Sequence, residues 1–284
     1  MLSVAEEYLN EHNAGASLKV FGQELNPESY AICKSEMLIK GQDANNIAQG
    51  NSLTEDAFAG QKFDYLITNP PFGVKWKKYA APLKKEHEVQ GHAGRFGAGL
   101  PGVSDGSFLF LLHLISKMRN DDSRLSIVFN GSPLFSGSPS AKKNEASIRQ
   151  WVIENDLLEA IVALPNQLFY NTGIHTYIWL LSKKKEAARK GKVQLINAID
   201  LFQKMGKSYG DKRNELSEEH IAKSSGSTAT SAKVSASKSS PTRILASAKS
   251  PWNAPNAIQT TTSSTTAKAS PKPTAASATP NSFP

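Results

Sequence analysis

Asn69-Pro70-Pro71-Phe72 is the segment of this chain best equipped for chemistry. It follows an apolar run, Phe63 to Thr68 (FDYLIT), that reads as a β-strand, and two successive prolines stop the ladder there. A proline-locked corner keeps the backbone extended, so the Asn69 carboxamide and the Pro70 carbonyl can face the same way. Both oxygens accept hydrogen bonds and can converge on one amino group. The ring of Phe72 offers a plane for stacking. The exocyclic amine of an extruded nucleobase is a group that such a corner fits. The plainer alternative is a corner that only ends a strand, with Phe72 in the core.

The flanking elements must hold this corner. Residues 1–13 read as an amphipathic helix, and Leu18 to Phe21 as a short buried strand that stops at Gly22-Gln23-Glu24. Pro27 opens a helix to about Lys40. Ile47 to Leu53 is a weak strand with a turn. Residues 73–104 read as a long loop, with Lys75, Lys77, Lys78, Lys84 and Lys85 first and five glycines after them. Ser104-Asp105 caps an apolar helix from Gly106 to Met118. Strands follow at 125–129, 158–164, 176–181 and 193–199, with a helix at 145–155. This alternation predicts an α/β fold with a largely parallel sheet, its last strands forming an antiparallel edge pair. Ligands of such sheets sit at the carboxyl ends of the strands, which puts Glu24, Asn69 and Pro165 near one rim.

Composition excludes several other classes. The net charge of +8 resides almost wholly in the last part of the chain, because from Ile221 onward there are seven basic residues and no acidic one. A basic nucleic-acid surface on the folded part therefore does not follow from it. Ser, Thr, Ala, Pro and Lys dominate 222–284, which predicts a disordered tail after a folded domain at 1–221. The single cysteine, Cys33, excludes a disulfide framework and a multi-cysteine zinc site. No apolar run reaches membrane-span length, and the acidic start does not suit a secretory signal, so the cytoplasm is the expected compartment. Gly97-x-Gly99-x-x-Gly102 matches a dinucleotide fingerprint only by letter; it follows no strand and reads as a flexible loop. The lysines at 75–85, with Trp76 nearby, are a candidate for DNA phosphates or simply a solvated face. The 183–192 run reads as a charged hairpin turn, and His113 as a core histidine.

Several ordered stretches resemble one family. FDYLITNPPFG (63–73), GQELNPESYAICKSEMLIKG (22–41), GNSL (50–53), RFGAGLPGVSDGSFLFLLHLISKM (95–118), RLSIVFNGSPLFSG (124–137), IRQWVIENDLLEAIVALPNQLFYNTGIHTYIWLL (148–181) and LFQKMGKSYGDKRNELSEEHI (201–221) are similar to the modification subunit of type I restriction-modification systems. The resemblance implies an S-adenosylmethionine-dependent N6-adenine DNA methyltransferase with a class I, Rossmann-like α/β sheet. It assigns catalysis to Asn69, Pro70, Pro71 and Phe72, with no metal and no covalent intermediate. It assigns S-adenosylmethionine to Glu24 (ribose hydroxyls), Asn51, which stands where the family has aspartate, and Asp105. Asp105 reads equally well as a helix N-cap, and both roles are compatible. Phe169 is preferred over Tyr170 for closing the base pocket opposite Phe72; a core role for both is the alternative. Double-stranded DNA and the specificity and restriction subunits are the implied partners.

One family feature, the Asp-Pro-x-x-Gly-Ser-Gly turn, is absent, and residues 1–13 resemble the helix that follows it. The sheet is therefore expected to lack its first strand, between those at 18–21 and 63–68, and the 284-residue chain to bind S-adenosylmethionine weakly or not at all. A non-catalytic DNA-binding or assembly piece of a restriction complex is one competing reading. A protein-glutamine methyltransferase, which typically has Tyr where this chain has Phe72, is another.

Overall fold

The computed structural model describes residues 1–13, 15–120, 122–138, 144–226 and 230–233. Helix α1 (Leu2–His12) and helix α2 (Pro27–Ile39) bracket strand β1 (Gly22–Glu24), and strand β2 (Ile47–Gln49) pairs with β1 in parallel. Asn26 starts α2 by accepting from the Glu28 and Ser29 amides, with Pro27 in the first turn. The strand expected at 18–21 is displaced to 22–24, because the ladder begins with Gly22 against Ile47.

The main sheet has six strands. Strand β3 (Tyr65–Thr68) pairs in parallel with β4 (Arg124–Phe129), and β5 (Leu158–Ala163) pairs in parallel with β7 (Lys192–Asn197). Between β4 and β5 lies β6 (Tyr177–Ser182), antiparallel to both. Thr230–Lys233 forms β10, antiparallel on the outer side of β7. This corrects the expected antiparallel edge pair. β6 and β7 are not neighbours, and the 183–192 segment passes beyond β5 instead of turning a hairpin. The pattern of β6 explains its place: YIWLLS is apolar on both faces, as an interior strand must be. Trp179, fully buried, sits across from Ile127 on one side and Ile161 on the other.

Helix α4 (Ser107–Lys117) covers this centre. Its Phe108 ring lies 5.9 Å from that of Phe129 and 6.2 Å from Trp179, and Phe129 meets Trp179 edge-on at 5.3 Å. Each such buried side chain contributes about 2–3 kcal/mol by removing apolar surface from water. Short helix α5 (Ser132–Phe135) and helix α6 (Glu145–Glu154) follow β4, with Ile148 and Val152 in the same core.

The expected loop at 73–104 is not irregular throughout. Helix α3 (Ala80–Gln90) occupies its middle and buries Leu83 and His87, one turn apart. Trp76, placed near DNA phosphates above, is instead 2% exposed and donates its indole N–H to the Gly102 carbonyl at 3.0 Å. The glycine segment is closely packed: a Cβ on Gly97 would lie 2.5 Å from the Gly91 carbonyl oxygen.

A second two-stranded sheet, β8 (Gln203–Tyr209) with β9 (Lys212–Glu215), follows β7, and helix α7 (Glu218–Gly226) comes next. The boundary expected at Ile221 thus falls inside α7, and β10 belongs to the main sheet. Most of the remaining tail lies outside the described residues.

Candidate active site

Strands β3, β4, β5 and β7 run the same way, so their carboxyl ends share one rim. β3 delivers Asn69 to that rim. The Asn69 side chain is exposed and, among the described residues, has no hydrogen-bond partner; Pro70 is buried, Pro71 exposed and Phe72 half-buried. A short polar side chain usually turns back onto its own backbone in such a corner. Here the prolines remove the nearby amides, and the carboxamide stays available to a ligand.

Glu24 and Asn51 are brought together. Glu24 lies across from Gln49 in the β1–β2 ladder, and the Gly50 amide donates to the Glu24 carbonyl at 2.9 Å. One Glu24 carboxylate oxygen accepts the Asn26 amide at 2.8 Å. The Asn51 oxygen accepts the Leu53 amide at 3.0 Å, so the local turn already occupies one acceptor position. Asp105 serves the start of α4: its Oδ1 accepts from the Ser107 amide at 2.9 Å and the Ser107 hydroxyl at 2.6 Å. Phe169 and Tyr170 follow β5, the former half-buried and the latter 60% exposed. β5 is three strand spacings from β3, about 14 Å along the rim.

Two residues that sequence reasoning passed over hold the Asn51 loop. Gln23 donates to the Glu55 carbonyl at 2.6 Å and accepts the Ala57 amide at 3.2 Å. Arg95, in the segment joining β3 to α4, donates to the carbonyls of Ser52 and Leu53, both at 2.9 Å, and pairs with Glu86 at 2.6 Å. A lone arginine followed by an aromatic, Phe96, in a glycine-rich stretch was the signal available. Arg95 also reaches His113 Nδ1 at 3.1 Å. A guanidinium only donates, so that ring nitrogen carries no proton.

Burial, and then the Arg95 charge, push His113 down to about 4. Burial would raise the Glu86 and Asp56 carboxyls, but Arg95 and Lys117 respectively outweigh it and hold both below their ordinary values. The sign is the same for all three groups. His113 is neutral above pH 6.5 whether folded or not; below that the unfolded chain takes up a proton that the folded chain refuses until about pH 4. Stability is therefore present above pH 6.5 and is lost on acidification, by on the order of 3 kcal/mol from His113 across that window. Loss from the two carboxylates follows at lower pH. Melting temperatures measured from pH 7 downward are expected to fall, and His113→Gln to flatten the part between 6.5 and 4. An unchanged slope in that variant would assign the acid lability elsewhere.

The N-6 DNA methylase family model matches residues 1–240. The chain belongs to that family. The chain is 31% identical over 206 residues to the type I restriction enzyme MjaIX methylase subunit of Methanocaldococcus jannaschii, covering 72% of this chain and 35% of that protein. It is 30% identical over 197 residues to the HindI methylase subunit of Haemophilus influenzae, covering 68% of this chain and 41% of that one. The chain thus spans well under half the length of these relatives. The crystal structure of the type I restriction-modification system methyltransferase subunit from Streptococcus thermophilus superimposes with a TM-score of 0.63 at 27% identity, over 78% of this chain and 44% of that one. The fold is that of class I S-adenosylmethionine-dependent methyltransferases, shared with a putative member from Listeria monocytogenes at a TM-score of 0.51 and 15% identity, with β1–β2 forming a sheet separate from the one that β3 edges. No helix among the described residues is long and apolar enough to cross a membrane.

Proposed function

We propose that this chain transfers a methyl group to adenine N6 in double-stranded DNA, as the modification subunit of a type I restriction-modification system. The observation that carries this is the exposed Asn69 carboxamide at the end of β3, unpartnered among the described residues, in a proline-locked corner beside Phe72. The Asn69 oxygen and the Pro70 carbonyl accept the two amino hydrogens of an extruded adenine, which makes the nitrogen lone pair more available. Phe72 stacks on the base, and Phe169 or Tyr170 closes the pocket from the β5 side. Orientation and fixed dipoles supply the acceleration.

Glu24 and Asn51 suit S-adenosylmethionine: a carboxylate with an open oxygen matches ribose hydroxyls, and an amide matches the edge of the cofactor adenine. S-adenosylmethionine supplies the methyl group when bound. Asp105, engaged at the start of α4, borders the same pocket in this reading. The specificity and restriction subunits are the partners, and the cytoplasm is the compartment.

The test is direct. The enzyme, assembled with its specificity subunit, is incubated with unmethylated duplex DNA and S-adenosylmethionine carrying a deuterated methyl group. Digestion and mass spectrometry are expected to find the label in N6-methyladenine. Label on protein glutamine, or none on DNA, would overturn the reading.

A further inference from the structure

The β8–β9 ribbon takes no part in the site as described, yet it is firmly anchored beside it. Along β8 only Met205 is half-buried, and the other residues are exposed. A two-stranded hairpin without an apolar face is marginal on its own. The loop after β5 holds it. Asn214, fully buried, donates from its side chain to the Asn166 carbonyl at 2.9 Å, and the Arg213 and Asn214 amides both donate to the Gln167 carbonyl, at 2.9 and 3.1 Å. Gln167 has φ 55°, a left-handed conformation that persists only where its surroundings impose it. At the ribbon's turn the Asp211 amide donates to the Tyr170 carbonyl at 3.1 Å. Gly210, at φ +60°, passes so near that a Cβ would lie 2.9 Å from that same oxygen.

The outward surface is cationic and aromatic. Lys207 and Arg213 are exposed and form no ion pair among the described residues. Tyr170 and Tyr209 are 60% and 51% exposed with ring centroids 6.4 Å apart, and the Lys212 ammonium lies 4.9 Å from the Tyr170 ring centre. Cations interleaved with open aromatic faces suit nucleic acid, and a two-stranded ribbon has the width of the DNA major groove. The loop that anchors the ribbon leaves the end of β5, three strand spacings or about 14 Å along the rim from the end of β3.

We infer that the β8–β9 ribbon is a DNA-backbone clamp, in which Lys207 and Arg213 neutralise phosphates flanking the adenine presented to Asn69. This rests on the proposed function for the identity of the polyanion.

Binding of a fluorescein-labelled duplex to the full chain, followed by anisotropy across a salt series, tests it without requiring catalysis. Lys207→Glu with Arg213→Glu is expected to weaken binding at least tenfold. It should also reduce the slope of log affinity against log salt by about two, since each phosphate contact contributes about 0.9. Lys207→Glu alone gives about half that change in slope. Lys207→Arg with Arg213→Lys, which keeps both charges, binds as the parent does. Unchanged affinity and slope in the charge-reversed chain would overturn the clamp, as would equal loss in the charge-preserving one or no duplex binding by the parent at low salt. Retained methylation by Asn69→Ala, with the clamp results as expected, would instead remove the catalytic reading and leave the clamp standing.

Discussion

Replacing Asn69 with alanine is expected to lower methyl transfer by about 10²–10³-fold, the loss typical of removing one preorganised hydrogen-bonding group from a reacting centre. Stability should barely move. The Asn69 side chain is exposed and bonds to nothing among the described residues, and such surface substitutions stay within about 0.5 kcal/mol. That separation gives the prediction its force: a catalytic loss with an unchanged melting curve points to chemistry and not to folding. Initial rates of N6-methyladenine formation, measured beside a thermal melt, decide it. If the variant kept more than a tenth of the parent rate, Asn69 would have no place in the mechanism.

Arg95→Leu is expected to cost about 3–5 kcal/mol of stability, because it strands Glu86 as a mostly buried, unpaired charge. It also strips the donor from the Ser52 and Leu53 carbonyls and loosens the turn that carries Asn51. Arg95→Lys should fall between the two, since an ammonium is a point donor and cannot reach carboxylate, carbonyls and imidazole at once. Adding Glu86→Leu to Arg95→Leu should recover part of the loss. Urea midpoints of the parent, Arg95→Leu, Glu86→Leu and the double variant measure the cycle, and a cost below about 1 kcal/mol for Arg95→Leu would show that the network contributes little.

How much of this was legible in the residues varies with the range of the interaction. The corner at Asn69 is local, written by FDYLIT and two prolines, and β3 ends where the prolines require. Helix α4 is equally local. Helix α3 was hidden because Pro82 and paired lysines look like loop, while its buried stripe is only Leu83 and His87. The place of β6 depends on pairing across about fifty residues, although its two-sided apolar pattern marked it as interior. Arg95, Gln23 and Asn214 act on backbone carbonyls and amides far along the chain, and nothing in their neighbourhoods names those targets. Trp76 was drawn toward DNA by the lysines around it, whereas the Gly102 carbonyl that receives its indole N–H lies 26 residues away.

The position of β6 also governs how the polypeptide matures during translation. β4 and β5 leave the ribosome first, each with an edge that only β6 can cover. The sheet centre therefore stays open until Ser182 has emerged, and the Trp179 knot forms late, from contacts distant along the chain. Nascent chains stalled before residue 177 would carry two uncovered apolar edges, the state in which chaperones are most needed.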